Sequence, residues 1–283
     1  MTASGDFDDW VGRSTVEHDQ FTASLQDRFA AVFDRHGRGE DLPSLPALWH
    51  WGLFLPSARQ ATIDTDGHPP RGTLIPPIAR PRRMWASSEV EFVAPVHAGE
   101  LLVRTSTLEQ VFSKQGRTGG LTFVRLDHRI EGPSGLAVIE KQDIVYRDAA
   151  APGATLPPGT PAPAEAHFTS SCRADPTLLM RYSALTFNAH RIHYDRDYAQ
   201  QVEGYPGLVV HGPLLATLLA ENLHRHHPHA RLRTFQFFAV RPVFDCHPFD
   251  LCGRDEGGGK FALWVRDHEG CIAMRAIVEL NEP

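Results

Sequence analysis

Polar residues that can move protons are concentrated in one short stretch of the sequence, "SALTFNAHRIHYD", which runs from Ser183 to Asp195. Within it, His190 and His193 lie three residues apart, and Asn188 precedes them. An imidazole titrates near neutral pH, so a histidine can accept a proton from water and later deliver it to carbon. The residues alone leave three interpretations open: a general base, a metal site, or polar side chains in an ordinary turn.

The next stretch that could do chemistry is "GLVVHGPLLATLL", Gly207 to Leu219, in which an apolar run is interrupted at His211 and Gly212. Pro213 suits the first turn of a helix, and the leucines that follow recur at helical spacing. We therefore predict a buried helix that begins at Gly212. The first amide groups of a helix lack partners within it and carry partial positive charge, which favours an anion.

Clusters of histidines also raise the question of a metal. One cluster is His190 with His193, and a second follows the predicted helix and consists of His224, His226, His227 and His229. Neither is accompanied by a carboxylate-rich set of partners or by an HExxH motif. We therefore predict that the protein binds no metal, and we interpret the second cluster as the polar end of a helix, where imidazoles are favourable.

The composition indicates a soluble, packed protein, since 42% of the 283 residues are hydrophobic and 22% are charged. The net charge of −6 argues against a nucleic-acid partner. We find neither an apolar run of about 18 residues nor a signal-peptide pattern, so we predict no membrane association and a cytoplasmic location. The four cysteines form no CxxC pair, which favours reduced thiols.

A segment rich in Ala, Pro and Gly, from Arg147 to Phe168, divides the chain into two halves. We predict domains over residues 1–147 and 169–283, joined by a linker over residues 148–168. Each half has an apolar segment followed by runs typical of strands, and in the first half residues 44–56 form this apolar segment. The pattern predicts an α+β fold of two similar units, each with antiparallel strands wrapped around a central helix.

The motifs resemble those of the MaoC-like hydratase/dehydratase family. The residues that carry the resemblance are "FNAHRIHYD" and, after it, "YPGLVVHGPLLATLL". In the first half, "EVEFVAPVHAGELL", "KQGRTGGLTFV" and "EKQDIVYR" are similar to the two-domain branch of that family, which includes mesaconyl-CoA and itaconyl-CoA hydratases and mitochondrial-type hydroxyacyl-thioester dehydratases. The resemblance implies a double hot-dog fold whose first half is catalytically silent and supplies a wall for the acyl group.

The same resemblance implies a hydro-lyase that adds water to an α,β-unsaturated acyl-CoA without a cofactor. We expect mesaconyl-CoA or itaconyl-CoA as the substrate and citramalyl-CoA as the product. Three alternatives stay open: a dehydratase of linear 3-hydroxyacyl thioesters, a thioesterase on the same fold, and a non-catalytic module that binds acyl thioesters. The sequence also leaves open whether CoA or an acyl-carrier protein carries the acyl group, and whether the chain forms a homodimer.

The resemblance assigns the proton transfer to His193. The broader family has a catalytic Asp where this chain has Asn188, and an amide cannot accept a proton at neutral pH. We therefore expect Asn188 to position the attacking water or an oxyanion, with a plain turn role as the alternative. Asp195 is a candidate to orient the His193 ring.

Four further residues are expected to bind substrate. The amide of Gly212 would face the thioester oxygen as part of an oxyanion hole, and His211 would line the pocket. Arg191, which replaces the usual Pro of the motif, and Arg241 are candidates to bind a substrate carboxylate or the phosphates of CoA. The alternative for Arg191 is a brace within its loop, and the alternative for Arg241 is a surface charge.

Overall fold

Ten strands form a single antiparallel sheet in the described residues of the computed structural model, which are 7–35, 44–116, 119–149 and 157–281. The first half contains β1 (Ser14–Gln20), α1 (Ala23–Val32), β2 (Arg82–Phe92), β3 (Leu101–Gly116), β4 (Gly119–Gly132) and β5 (Gly135–Arg147). The second half contains β6 (Phe168–Cys172), α2 (Pro176–Thr186), α3 (Gly212–His226), β7 (Leu232–Ala239), β8 (Phe249–Gly257), β9 (Lys260–Arg266) and β10 (Ile272–Leu280).

The strands of each half lie side by side, because the order across the sheet is β1-β3-β4-β5-β2-β7-β10-β9-β8-β6. The halves meet where β2 pairs with β7, with Ser87 opposite Phe238 and Glu91 opposite Thr234. The predicted α+β architecture is confirmed, and both halves contribute to one continuous sheet. This junction brings loops of the first half next to the histidine motif of the second.

The central helix of the second half is α3, and it begins at Gly212 as predicted. All its residues from Leu214 to Leu223 are buried, as expected for a helix that is apolar nearly all round. Pro213 occupies the first turn, where its missing N–H removes no helix hydrogen bond. Phe235 and Phe237 of β7 are fully buried in the same core. The sheet thus fixes the position of the Gly212 end of the helix.

The first half differs from the expected central helix. In its apolar segment the structure has only a 3₁₀ turn, Trp49–Gly52, with Leu48 and Phe54 in the left-handed region on either side at φ 69° and 54°. Gly52 lies against the ring of Phe29, where an added Cβ would be 2.3 Å from a ring carbon. Residues in the left-handed region interrupt the helix on both sides of the turn. The buried Trp49 nevertheless joins the same core as α3.

The predicted linker lies between β5, which ends at Arg147, and β6, which begins at Phe168. Residues 150–156 of the linker lie outside the described residues, and the proposed domain boundaries stay a prediction. Within the described residues, no helix is both long enough and apolar enough to cross a membrane.

Candidate active site

A cavity of about 440 Å³ lies between the histidine motif and the first-half strands. Among the sequence-predicted site residues, Asn188, His193, Gly212 and Arg241 line this cavity. Two other predicted residues, His211 and Arg191, do not line it. The structure therefore brings together the proposed proton carrier and the helix start that was expected to bind the thioester oxygen.

His193 is held by the turn that follows α2. The Asp175 side chain caps the start of α2 by accepting a hydrogen bond from the Leu178 amide at 2.8 Å, and Phe187 ends the helix in the left-handed region. A 3₁₀ turn, Arg191–His193, comes next. This short and well-bonded connection places the His193 ring at the cavity wall.

The hydrogen bonding of His193 leaves one ring nitrogen for chemistry. Its Nδ1 lies 2.7 Å from the Val209 carbonyl oxygen, and since a carbonyl can only accept, Nδ1 carries the proton. The Nε2 atom then has a lone pair, and no described residue makes a hydrogen bond to it. His193 therefore faces the cavity as a neutral imidazole with a free acceptor nitrogen.

The environment of His193 favours this neutral form. Burial lowers its pKa to about 3, and the neighbouring His190 contributes further in the same direction. His190 is lowered to a pKa of about 3 for the same main reason, burial. Its ring centroid lies 5.4 Å from that of His193. At neutral pH both imidazoles are therefore uncharged, and the unprotonated nitrogen of His193 can accept a proton.

His211 lies behind His193 instead of at the cavity surface. The two rings are stacked with their centroids 3.6 Å apart, and His211 Nε2 is 2.8 Å from the Ser183 hydroxyl. Burial lowers the pKa of His211 well below its usual value. The stacked ring supports His193 in its orientation, a role that the sequence did not predict for this residue.

Gly212 lies at the cavity with its backbone accessible to a ligand. Its φ is not positive, and an added Cβ would meet only the Trp85 carbonyl oxygen at 3.8 Å, an ordinary van der Waals distance. Neither backbone strain nor packing within the described chain therefore requires glycine here. No described residue accepts a hydrogen bond from its amide, which lies at the positive end of α3.

Asn188 lines the cavity and also holds the turn. Its Oδ1 accepts a hydrogen bond from the His190 amide at 3.0 Å, the arrangement expected of a turn asparagine. The side-chain oxygen is thus already used, and the amide nitrogen remains for a ligand. A role in holding water through Oδ1 would require that oxygen to accept a second hydrogen bond.

The guanidinium of Arg191 is held within its own loop. Its Nη2 and Nε lie 2.8 and 3.0 Å from Asp195 Oδ2, and its Nη1 donates to the Thr65 carbonyl at 3.1 Å. The Tyr198 ring lies 4.1 Å from its guanidinium carbon. These contacts match the expected alternative, a brace for the loop. The Asp195 carboxylate is bonded to Arg191 and to the Tyr198 amide, not to His193.

Arg241 lies at the edge of the cavity and also borders a second, smaller one of about 240 Å³. Its Nη2 is 2.6 Å from Glu269, and its Nη1 is 3.4 Å from Asp267. Two carboxylates thus already neutralise this arginine. Arg241 thus lines the cavity, but its charge is already paired, and its predicted role in binding substrate stays a prediction.

Two cavity residues of the first half, His68 and Gly67, were not expected from the sequence. His68 lines the cavity with its ring centroid 4.2 Å from that of His190, and its Nδ1 is 2.8 Å from Asp66. Gly67, at φ 95°, allows the approach, because an added Cβ would be 1.8 Å from the Ala189 carbonyl oxygen. The only local signal is a histidine next to a glycine in a Pro-rich loop, which is too common to be specific.

The Asp66–His68 pair is firmly bonded. Burial lowers the pKa of His68, so the hydrogen bond from its Nδ1 to Asp66 leaves Nε2 as the acceptor. Burial alone would raise the pKa of Asp66, but the interactions with His68 outweigh this effect and lower it. The Asp66 carbonyl accepts a hydrogen bond from the Arg191 amide at 2.9 Å. This loop of the first half is thus joined to the turn that carries His193.

Two groups of residues that could act as metal ligands lie close together in the described part of the chain. Asp66, His68 and His190 have ligand atoms within 4.8 Å of one another, and so do Asp267, Glu269 and Cys271. In the first group, Asp66 and His68 already satisfy each other by a hydrogen bond. The absence of a metal stays a prediction. The later histidines lie at the end of α3, where His226 stacks on Phe168 with centroids 4.7 Å apart.

Four residues of the first half line the cavity opposite the motif, and we call them the first-half wall: the buried His50 and Glu140 and the partly buried Trp51 and His128. The Glu140 carboxylate accepts hydrogen bonds from the Ser88 hydroxyl at 2.6 Å and from the Trp51 indole at 3.0 Å, and His50 Nε2 lies 3.1 Å from it. Burial alone would raise the pKa of Glu140, but His50 and its other partners lower it to about 2.

Comparison of the chain with known proteins identifies its family. The family described as hydroxyacyl-thioester dehydratase type 2, Htd2, matches residues 48–245. The chain belongs to this family. A relative of this Htd2 protein, mesaconyl-C(4)-CoA hydratase of Chloroflexus aurantiacus, is 43% identical over 283 residues and covers 99% of each chain. The predicted class of enzyme, a hydro-lyase, is thereby confirmed.

Solved structures support the fold of this Htd2 protein. A MaoC-like dehydratase from Phytophthora Capsici matches 96% of this chain and 97% of its own, with a TM-score of 0.71 at 15% identity. A protein from Mycobacterium tuberculosis described as a double hot-dog fold matches 96% of each chain, with a TM-score of 0.57 at 12% identity. The predicted double hot-dog fold is therefore confirmed.

Proposed function

We propose that this Htd2 protein hydrates mesaconyl-C4-CoA to citramalyl-CoA and catalyses the reverse reaction. The observation that carries the proposal is that His193 and Gly212 line the same cavity, each with one unused polar atom. The Nε2 of His193 has no hydrogen-bond partner among the described residues, and no described residue accepts a hydrogen bond from the Gly212 amide. The 43% identity to a mesaconyl-C(4)-CoA hydratase over nearly the whole chain supports the choice of acyl group.

In the hydration direction, His193 acts first as a base. Its Nε2 takes a proton from water while the water oxygen bonds to the β-carbon of the enoyl thioester. The carbon–carbon π electrons move toward the thioester and form an enolate. The protonated His193 then delivers its proton to the α-carbon, which restores both the neutral imidazole and the thioester. Burial keeps His193 neutral before water attacks, and it makes the protonated imidazole a strong donor to the α-carbon in the second step.

The Gly212 amide stabilises the enolate oxygen. The charge that develops on this oxygen meets the positive end of α3, where a preorganised donor needs no rearrangement during the reaction. Asn188 contributes its amide nitrogen at the same wall of the cavity, and His211 holds the His193 ring in orientation. In this proposal no cofactor takes part, because the thioester itself acidifies the α-proton.

Residues of the first half form the acyl wall and take no part in proton transfer. The proposed partner is an acyl-CoA, with no nucleic acid or membrane involved and with a homodimer as the proposed assembly. The four free cysteines support the proposed cytoplasmic location.

A second candidate is dehydration of linear 3-hydroxyacyl thioesters, and its support is the dehydratase activity named in the family description. The two activities share one mechanism and differ in the acyl group alone. One panel of esters separates them: mesaconyl-C4-CoA, itaconyl-CoA, crotonyl-CoA and a long-chain enoyl-CoA, assayed by loss of the enoyl absorbance. We expect the highest kcat/KM on mesaconyl-C4-CoA. Higher kcat/KM on the long-chain ester would replace the proposed substrate, and release of free CoA would indicate a thioesterase.

A further inference from the structure

A dicarboxylic substrate needs a cation close to the reacting carbons. In mesaconyl-C4-CoA the free carboxylate is attached to the carbon that receives water, so it must lie beside the catalytic histidine. A carboxylate that moves from water into a mostly apolar cavity without a partner is strongly unfavourable. A guanidinium is well suited to this task, because its planar set of donors matches a carboxylate.

Three arginines line the cavity in the described part of the chain: Arg83, Arg104 and Arg241. Arg104 is bonded to Glu17 at 2.5 Å, and Arg241 to Glu269 at 2.6 Å. Arg83 has no carboxylate within ion-pair distance among the described residues. It is therefore the cavity arginine whose charge is left for a ligand.

The position of Arg83 follows from the alternation of β2. Its neighbour Arg82 pairs with Glu203 at 3.0 Å, and successive side chains of a strand point to opposite faces. Arg83 thus faces the cavity, as does Trp85 two residues later. Burial is the main cause of the lowered pKa values of His68 and His190, and the charge of Arg83 lowers both further. The guanidinium therefore lies within electrostatic reach of the histidines beside His193.

We propose that Arg83 binds the free carboxylate of the acyl group and makes the site selective for acyl thioesters with a carboxylate on the β-carbon. This inference rests on the proposed function for the identity of the substrate. The position of an unpaired Arg83 at the cavity does not depend on it. It assigns to the first half a role in specificity, whereas the sequence pointed to Arg191.

The test compares Arg83→Met with Arg191→Met on two esters. For Arg83→Met we expect KM for mesaconyl-C4-CoA to rise about 10-fold to 100-fold, since a charge-assisted pair is lost, while KM for crotonyl-CoA changes less than about 3-fold. Arg83→Lys should restore part of the loss. Arg191→Met should affect both esters equally. An equal loss on both esters in Arg83→Met would overturn the proposal and leave the hydratase function intact.

A binding experiment separates the failure of this inference from the failure of the proposed function. Succinyl-CoA carries a carboxylate on its β-carbon, and butyryl-CoA carries a methyl group there. Calorimetry should show that the wild-type protein binds succinyl-CoA more tightly, and that Arg83→Met removes the difference. This result would support Arg83 even if mesaconyl-C4-CoA were not hydrated. Equal binding of the two esters by the wild-type protein would overturn the proposal.

Discussion

The first-half wall and the second-half motif both bury histidines at one cavity, but they use the ring nitrogens differently. His128 of the wall has both nitrogens engaged, with Nδ1 at 2.7 Å from the Ser106 hydroxyl and Nε2 at 3.2 Å from the Gln142 oxygen. In the motif, His193 has one nitrogen fixed by the Val209 carbonyl and the other unbonded by any described residue. We therefore expect His128, with two fixed partners, to be structural, and His193, with one unbonded nitrogen, to be the reactive histidine.

The carboxylates of the two regions differ in the same way. Glu140 of the wall is buried and surrounded by donors, which keep it ionised. The motif has an amide, Asn188, at the position where the resemblance to the broader MaoC-like family would place an Asp, and its oxygen is bonded to the turn. Burial of a titratable group therefore does not distinguish the two regions. The unused acceptor atom of His193 does, and on it we base the proposed catalytic role.

The largest expected effect on kcat comes from removing the unbonded Nε2 of His193. Replacing His193 by Ala should reduce kcat by about 10² to 10⁴-fold, because general acid–base catalysis contributes about that much. Circular dichroism should show a folded protein, since the residue lies on a short turn. His128→Ala is the matched control from the wall and should spare kcat per folded molecule. A His193→Ala enzyme with more than about half of the wild-type kcat would remove this residue from the mechanism.

The reverse effect is expected at Glu140. Glu140→Gln should lower the free energy of unfolding by about 1–3 kcal/mol. The donors around residue 140 would lose their charged acceptor, and one of them would face the new side-chain amide N–H₂ group instead of a carboxylate oxygen. The kcat of the folded fraction should stay within about 3-fold of the wild type, since no proton transfer is assigned to it.

Urea unfolding and initial rates, measured on the same preparation, check this prediction for Glu140. The control is Glu109→Gln, whose exposed ion pair with Lys141 is long at 3.8 Å and should contribute almost nothing. If Glu140→Gln left stability unchanged and abolished turnover, the contrast between the two regions would be wrong.

A smaller effect is expected at the start of α3. Gly212→Ala should lower kcat/KM by about 10-fold, because a methyl group blocks the approach of the thioester oxygen to the helix amide. The melting temperature should stay the same or rise, since an added Cβ meets only an atom at 3.8 Å and alanine favours the helix. A drop in melting temperature with unchanged kcat/KM would mean that this glycine serves the fold.

The pH dependence of stability sharpens the contrast further. The folded pKa values of His190 and His193 are about 3, below the unfolded value near 6.5. Between about pH 3 and pH 6.5 the unfolded chain therefore binds more protons than the folded protein. The contribution of these histidines to the free energy of unfolding is fully present above about pH 6.5 and is lost as the pH decreases toward 3. We expect a loss of about 1 kcal/mol between pH 7 and pH 6, measured by urea unfolding. His193→Gln should reduce this slope, and a flat profile would contradict the assignment of buried neutral rings.

No effect is expected from removal of metal. Exhaustive chelation should leave the hydratase rate unchanged, because the proposed mechanism uses only protein groups and the thioester. Analysis of the purified protein for zinc provides the matching measurement. Stoichiometric zinc together with activity lost on chelation would assign Asp66, His68 and His190 to a metal centre.

Short-range sequence patterns determined the helix α3 and singled out the proposed proton carrier, His193. The spacing of leucines predicted α3 because a helix buries residues at a fixed period, and Pro213 marked its first turn. Alternating apolar residues and glycine-rich turns predicted the central strands for the same local reason. The motif around His193 was likewise contiguous in the chain, so its resemblance to a family could be recognised without any structure.

Only the tertiary structure decided which side chains share the cavity. Arg191 lies two residues from His193 in sequence, yet its ion pair with Asp195 turns it into its own loop. Arg83 and His68, more than a hundred residues away, line the cavity because β2 pairs with β7 and a glycine permits close contact with the motif. Register and loop packing fix such contacts, and no spacing along the chain encodes them. The same holds for the 3₁₀ turn at Trp49–Gly52, where left-handed residues on both sides overrode an apolar pattern that favoured a helix.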